Sequence, residues 1–395
     1  MPDNSLSLDH IWCVIPTYNN KDTIRNVALS ARGHLKNILV IDDGSTDIDV
    51  RSILLDTDIT VLRHDKNKGK GAALMTALKF IKENNAKFMI TIDADGQHYV
   101  QDIDKFIPLL EDSKESIIVG VRDFNNQLVP GKSRFGRSFS NFWLRLETGV
   151  SIEDSQSGFR VYPVKHLAMI KLDGKHYDFE VEVLTRGVWS GLKLRTVPIK
   201  VYYPKEGMRV TSFKPFRDNL RISIMHIRLI GRRLFPFPYP RVLPKERQAL
   251  NLKILLHPFK LLKSLLKENA TPLGLAVSAG VGVFLGVLPL LSIHTLVIVY
   301  VTQRLHLNKI MALSIQNICM PPFVPIACIE LGHFMLYGKW FTSITWKDTL
   351  GALGDRVWEW LLGSLILAPL LGLATGLIIY FSARAIKKRS LKNAE

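Results

Sequence analysis

Ile92-Asp-Ala-Asp-Gly-Gln-His98 is the stretch on which the reading of this chain turns. An apolar run over 88–92 ends in two carboxylates held two residues apart, followed by a glycine turn. Two earlier stretches have the same form: Val14-Ile-Pro-Thr-Tyr-Asn-Asn20 and Val40-Ile-Asp-Asp-Gly-Ser-Thr-Asp47. Asn67-Lys-Gly-Lys-Gly-Ala-Ala73 lies between the second and the third. It is no phosphate-binding P-loop, because no Gly-Lys-Ser/Thr follows at the required spacing. Working outward, β-rich runs at 11–15, 38–41, 59–62, 88–92 and 117–121 alternate with amphipathic stretches near 21–33, 70–84, 100–111, 134–147 and 178–190. That alternation predicts an α/β domain with a mostly parallel sheet covered on both faces. Such sheets bind ligands at the carboxyl ends of their strands, and the polar clusters fall there: 16–20, 42–47, 93–98 and Arg122.

The 395 residues suggest two or three domains. The chain is 47% hydrophobic with 52 Lys and Arg against 35 Asp and Glu, too apolar for disorder and too charged for a pure membrane bundle. Three scattered cysteines (Cys13, Cys319, Cys328) exclude a disulfide framework. The first residues show neither a basic n-region nor an apolar h-region, so a cleaved signal peptide is not expected and the N-terminal half is expected in the cytoplasm. The net charge of +17 is unevenly placed: 204–268 holds 15 Lys and Arg against 4 Asp and Glu. This excess sits just before the long apolar runs, which points to anionic membrane lipids rather than nucleic acid as its partner.

A diphosphate leaving group must depart as an anion. Paired carboxylates at a strand end can hold Mg²⁺ or Mn²⁺ against it. Taken singly, an Asp-Asp-Gly turn or an Asp-x-Asp pair is usually only a turn. The ordered set of motifs over 8–215 resembles glycosyltransferase family 2, whose fold is GT-A, a Rossmann-like α/β domain. Downstream, Gly120-Val-Arg122, Ser133-Arg-Phe-Gly-Arg-Ser138, Asp154-Ser-Gln-Ser-Gly-Phe-Arg160 and Phe179-Glu-Val-Glu182 resemble its dolichol-phosphate-mannose-synthase branch, which transfers a hexose to a polyprenyl phosphate. The resemblance implies that Asp95 and Gln97 are metal ligands and that Asp93 contacts the donor's ribose or the metal shell. It places Pro16, Tyr18, Asn20, Asp43 and Lys70 around the donor. Arg122, Arg134 and Ser138 would bind phosphate, Arg209 would close over the site, and Asp154 is the candidate base should the acceptor be a hydroxyl. The branch usually has Glu where this chain has Asn20, which bears on the nucleoside contact.

Residues 213–234 read as one amphipathic helix with Arg217, Arg221, Arg228 and Arg232 in a single stripe. A proline-rich linker, 235–240, follows, then a second basic amphipathic segment over 249–268. Each is read as an interfacial helix, the alternative being a helix packed on the core. Apolar stretches then cover 273–301, 310–337 and 357–383. Basic flanks put the catalytic domain and C-terminus on the cytoplasmic side of the cell (inner) membrane. The expected topology is multi-pass, with a re-entrant hairpin over 273–301 around Pro289 and spans over 310–337 and 357–383. The expected domains are 1–212, 213–268 and 269–395. The motifs Asn269-Ala-Thr-Pro272, Gly280-Val-Gly-Val-Phe-Leu-Gly286 and His294-Thr295 resemble a small bacterial membrane domain family of unknown function. His294 is expected to be a hydrogen-bonded structural residue.

These readings converge on a membrane-anchored, inverting glycosyltransferase that uses a nucleotide-sugar donor and a polyprenyl-phosphate acceptor. The alternatives are transfer to a lipid hydroxyl, or a catalytically silent membrane scaffold on the same fold.

Overall fold

The computed structural model describes residues 7–123, 131–202, 213–244, 271–290, 293–316, 323–340 and 356–392. The chain divides into two compact units, Met1–Arg247 and Gln248–Glu395.

The first unit is built on seven strands: β1 (Ile11–Thr17), β2 (Asn37–Asp42), β3 (Thr60–Arg63), β4 (Phe88–Thr91), β5 (Ser116–Arg122), β6 (Arg160–Pro163) and β7 (Lys193–Ile199). Their order is β3-β2-β1-β4-β6-β5-β7. All neighbours pair in parallel except at β6, which runs antiparallel to both β4 and β5. The helices are α1 (Ile24–Arg32), α2 (Val50–Ile53), α3 (Lys70–Glu83), α4 (Ile103–Phe106), α5 (Gly131–Thr148), α6 (Val164–Leu167), α7 (Asp178–Trp189) and α8 (Pro215–Leu234). The expected helix near 100–111 is instead a run of short 3-10 and α turns with Pro108 among them. A proline there removes a backbone donor and breaks a continuous helix.

The strands read as unbroken apolar runs because both sheet faces are covered. Ile11, Cys13, Ile15, Val40 and Ile90 join the layer containing α1 and α4. Val14, Leu39, Ile41, Met89 and Val119 join the opposite layer, with Ala73, Leu74, Ala77 and Ile81 of α3 and Phe179 and Val183 of α7. The chain leaves β1 toward β2 and later returns on its other side as β4. The carboxyl ends of β1 and β4 therefore flank the switch point where open α/β sheets bind ligands.

Helix α8 belongs to this first unit. Its Met225 and Leu229 pack with Val181 and Trp189 of α7. His226 Nδ1 lies 2.6 Å from Glu147 Oε1, and both side chains are buried. The proline-rich stretch turns back onto the same spot, where Tyr239 stacks on Trp189 with ring centroids 4.3 Å apart. The outer face of α8 leaves Phe216, Leu220, Ile224 and Ile227 exposed.

The second unit is helical: α9 (Pro272–Val287), α10 (His294–Arg304), α11 (Lys309–Gln316), α12 (Phe323–Tyr337) and α13 (Val357–Lys392). Helices α9 and α12 pack along α13, and Gly363 lies so near the Cys328 carbonyl that no side chain would fit. Pro289 sits between α9 and α10, while the described residues of the 310–337 stretch form α11 and α12. His294 Nε2 lies 2.9 Å from the Leu288 carbonyl oxygen, the structural role expected of it. Among the described residues, one helix, over Val357–Ile386, is long and apolar enough to cross a membrane.

Candidate active site

Three loops meet at the carboxyl ends of β1, β2 and β4. The first follows β1, with Pro16 inside the strand beside Ile41 and Tyr18 just beyond its end. Asn19 takes a positive φ of 56°, a conformation that asparagine tolerates. Its Oδ1 accepts from Thr46 N at 2.8 Å and its own N donates to Ser45 Oγ at 3.1 Å. Asn20 Oδ1 accepts from Thr17 Oγ1 and Tyr18 N, both at 3.3 Å. Asn20 thus shapes the turn into α1. Thr23 Oγ1 donates to the Ala94 carbonyl at 2.6 Å, tying this loop to the Asp93–Asp95 turn.

The second loop is held by its own carboxylates. Asp42 Oδ1 accepts from Ser45 N at 2.8 Å and its Oδ2 from Arg63 Nη1 at 2.9 Å. Asp43 Oδ1 accepts from Lys68 N at 2.8 Å and lies 2.6 Å from His64 Nδ1, while its Oδ2 accepts from Gly69 N at 2.7 Å. Asp43 therefore anchors the basic glycine loop to β2. Gly69 caps α3 at φ 101°, which favours glycine, and starts the helix with Lys70 pointing back over the sheet.

At the end of β4, Asp93 and Asp95 are both partly exposed, and Asp95 Oδ1 accepts from Gln97 N at 3.0 Å. Lys70 Nζ lies 2.6 Å from Asp93 Oδ1 and also contacts Glu180 Oε1, on the first turn of α7. It sits 5.9 Å from the centre of the Tyr177 ring. Burial disfavours the Lys70 charge, but Asp93 and Glu180 outweigh it and raise its pKa above the ordinary lysine value. Burial likewise pushes Asp93 up, yet the nearby Lys70 and Arg122 cations hold its carboxyl below the ordinary value. His98 is buried edge-on against Phe159, at 5.5 Å between ring centres, and its Nδ1 has no hydrogen-bond partner among the described residues. Burial pulls its imidazole down to about 4, against the opposing pull of Asp93, so it is neutral at physiological pH.

The far side of the mouth comes from β5 and the loop before β6. Arg122 forks onto Asp154, with Nε to Oδ2 at 2.6 Å and Nη2 to Oδ1 at 2.9 Å. Asp154 has no exposed surface. Arg160, also wholly buried, donates to the carbonyls of Ser155, Ser157 and Glu180 and so fastens this loop to α7. Asn141 and Ser140 of α5 bind the same loop. Arg134 and Ser138, one turn apart on α5, are both exposed. Arg209 lies outside the described residues.

The structure therefore brings Asp93, Lys70 and Glu180 together, and separately Arg122 with Asp154. Sequence reasoning gave no role to Glu180, Arg160 or His98. The motif Phe179-Glu-Val-Glu182 pointed at the first, but its partner Lys70 is 110 positions earlier and cannot be inferred from local pattern.

A mostly parallel α/β sheet thus carries a carboxylate pair and a lysine at its switch point and a forked arginine at the end of β5, charged groups gathered on the edge where open α/β sheets bind ligands. Residues 12–167 match Glycosyl transferase family 2, and residues 259–392 match a family of uncharacterized proteins conserved in bacteria, DUF2062. The chain is 34% identical over 225 residues to an uncharacterized protein of Methanocaldococcus jannaschii, covering 53% of this chain and 91% of that one. It is 33% identical over 224 residues to a UDP-N-acetylglucosamine–dolichyl-phosphate N-acetylglucosaminyltransferase of Methanococcus voltae, covering 50% of this chain and 88% of the relative. It is 27% identical over 201 residues to a polyprenol monophosphomannose synthase of Mycolicibacterium smegmatis, covering 47% and 75%. The chain belongs to glycosyl transferase family 2 and is a glycosyltransferase.

Proposed function

We propose that this glycosyltransferase moves a hexose from a nucleotide-sugar to a polyprenyl phosphate at the cytoplasmic leaflet of the cell membrane, with inversion at the anomeric carbon. The observation that carries the choice of acceptor is the Arg122–Asp154 fork. A hydroxyl acceptor needs a base within reach of its proton. Asp154, the candidate for that role, is enclosed and has both oxygens on Arg122. It positions an arginine. A phosphate acceptor is already ionised and needs no base, and a guanidinium held at the mouth suits its oxygens. The two named relatives above that act on dolichyl phosphate or make a polyprenol monophosphomannose support the same acceptor class.

The residues present fit a divalent cation. Asp93 and Asp95 offer partly exposed carboxylates, and Gln97 adds an amide oxygen. Among the described residues no group of three or more His, Cys, Asp or Glu could hold the ion by itself. Remaining positions would thus fall to phosphate oxygens and water, as is usual for Mg²⁺ at phosphate sites. When bound, Mg²⁺ or Mn²⁺ would stabilise charge on the departing diphosphate. The protein's own groups position the reactants. In this reading the loops after β1 and β2, with Pro16, Tyr18, Asn20 and the Asp43-anchored Lys68–Gly69 backbone, receive the nucleoside. Lys70 orients Asp93 toward the donor. Arg122, with Arg134, Ser138 and Arg209, receives the acceptor phosphate. Catalysis then rests on orientation and fixed charge.

The unit at 271–392 would anchor the enzyme through α13, and α8 would lie on anionic lipid headgroups. The apolar face of α8 is exposed beside Arg217 and Arg228, the arrangement of an interfacial helix. The deciding experiment incubates membranes holding the enzyme with a panel of labelled nucleotide sugars and extracts the lipid product. A product cleaved by mild acid is the sugar–phosphate–lipid expected. An acid-stable glycolipid would instead establish a hydroxyl acceptor.

A further inference from the structure

Glu180 has no place in the reading above, yet it stands where three elements converge. Lys70 from the start of α3, Asp93 from the end of β4 and Glu180 from the first turn of α7 meet at one ammonium. The side chains of Lys70 and Glu180 are each about one-eighth exposed, at 13% and 12%. Arg160 holds Glu180 from behind: its Nη1 donates to the Glu180 backbone oxygen at 3.0 Å, and its Nη2 lies 3.7 Å from Oε2. Glu180 is thus fixed, and its carboxylate shares the lysine with Asp93. A lone Lys70–Asp93 pair would cancel the negative charge of Asp93. With Glu180 sharing the ammonium, and counting Arg160 behind it, two carboxylates face two cations; without Glu180 the single carboxylate of Asp93 would face both cations and leave a net positive charge beside the donor. In this poorly solvated pocket such a charge acts strongly at short range.

We propose that Glu180 is a positioning residue that sets the charge of the donor site: by sharing Lys70 it leaves Asp93 effectively anionic and so favours a divalent cation with its bound diphosphate. The inference rests on the assignment of Asp93 and Asp95 to the cation-bound donor. The effect of removing the charge of Glu180 is reversed by removing the charge of Lys70 as well.

The test uses the full chain in detergent, with Mn²⁺ binding followed by the electron paramagnetic resonance of the free ion. UDP or GDP is added, whichever the wild type binds. Glu180→Gln, Lys70→Met/Glu180→Gln and Asp95→Asn are compared, with thermal melts to confirm folding. Glu180→Gln is expected to weaken Mn²⁺ binding about tenfold or more, and the double variant to regain most of it. Wild-type Mn²⁺ affinity in Glu180→Gln, with Asp95→Asn defective, overturns this inference and leaves the site standing. A double variant as weak as Glu180→Gln overturns it too, because shape rather than charge would then be the cause. Undiminished binding in Asp95→Asn removes the site assignment and this inference with it.

Discussion

Gly158 offers a direct steric test of the site. It opens onto the Asp93–Lys70 pair, and a Cβ built on its backbone would lie 2.7 Å from Asp93 Oδ2, 2.7 Å from Lys70 Nζ and 3.0 Å from Asp93 Oδ1. Ordinary contact begins at 3.4 Å, so a Gly158→Ala methyl must push both groups by about 0.7 Å. What it meets are side-chain ends, and the backbone at 158 is not in the left-handed region. The fold should yield locally at a cost of about 1–2 kcal/mol, at the low end for overpacking. The chemistry should not yield so easily, since a misplacement near 1 Å costs about a hundredfold in rate. The assay is kcat for lipid glycosylation at saturating donor, with the thermal midpoint measured on the same preparation. Gly136→Ala is the control: on α5 the nearest atoms its Cβ would meet among the described residues are those of the Gln156 amide, at an ordinary 3.5 Å. It should keep activity and gain up to about 1 kcal/mol of helix stability. If Gly158→Ala turned over like the wild type with its fold intact, the Asp93–Lys70 geometry would not matter to transfer.

Asp95→Asn should abolish transfer at an unchanged melting temperature, because the lost charge is at a partly exposed loop; residual turnover with Mg²⁺ or Mn²⁺ close to normal would contradict its assignment. Arg122→Ala should lower both activity and stability, the latter by about 3 kcal/mol, because it strands the buried Asp154 carboxylate; an unaltered melt would show that Asp154 finds another partner. His98 titrates near 4 in the fold and near 6.5 when unfolded, so between those values the unfolded chain binds the extra proton and stability falls as pH falls. In urea unfolding of a 1–247 fragment, going from pH 7 to 4.5 should cost the wild type about 2 kcal/mol more than His98→Leu; equal slopes would mean that His98 is not held neutral.

Much of the first unit was legible because its strands are buried on both faces and its helices carry clean periodicity. The runs at 11–15, 38–41 and 117–121 all lie inside β1, β2 and β5, and 70–84 and 178–190 bracket α3 and α7 to within a residue. The misses have physical reasons. β6 is four residues long and enters antiparallel between β4 and β5, so no βαβ rhythm announces it. β7 is an edge strand with only Val197 and Ile199 buried, which leaves no apolar run to notice. The boundary after residue 212 looked natural because α8 is basic and a proline-rich stretch follows. What draws both into the first unit is Glu147, buried on α5, receiving His226 from α8, and Trp189 receiving Tyr239. Those partners are 79 and 50 positions apart.

The acidic residues of the motifs show most clearly what pattern reading leaves open. Asp42, Asp43, Asp93, Asp95, Asp154, Glu180 and Glu182 look equivalent in sequence, each a carboxylate near a strand end or helix start. Their surroundings divide them. Asp43 and Glu182 accept pairs of backbone amides, from Lys68 and Gly69 and from Asp173 and Gly174. Asp42 and Asp154 are enclosed and each holds an arginine. A buried carboxylate with its oxygens engaged shapes loops, and its loss should appear first in stability. Asp93 and Asp95 keep contact with solvent at the switch point, where a substrate can reach them. Conservative amide substitutions should therefore separate the set into two phenotypes. Asp43→Asn, which weakens the anchor of the Lys68–Gly69 loop, should lower the melting temperature along with donor binding. Asp95→Asn should weaken metal binding and turnover and leave the melting temperature unchanged. The same loss of stability in both variants would contradict this division of roles.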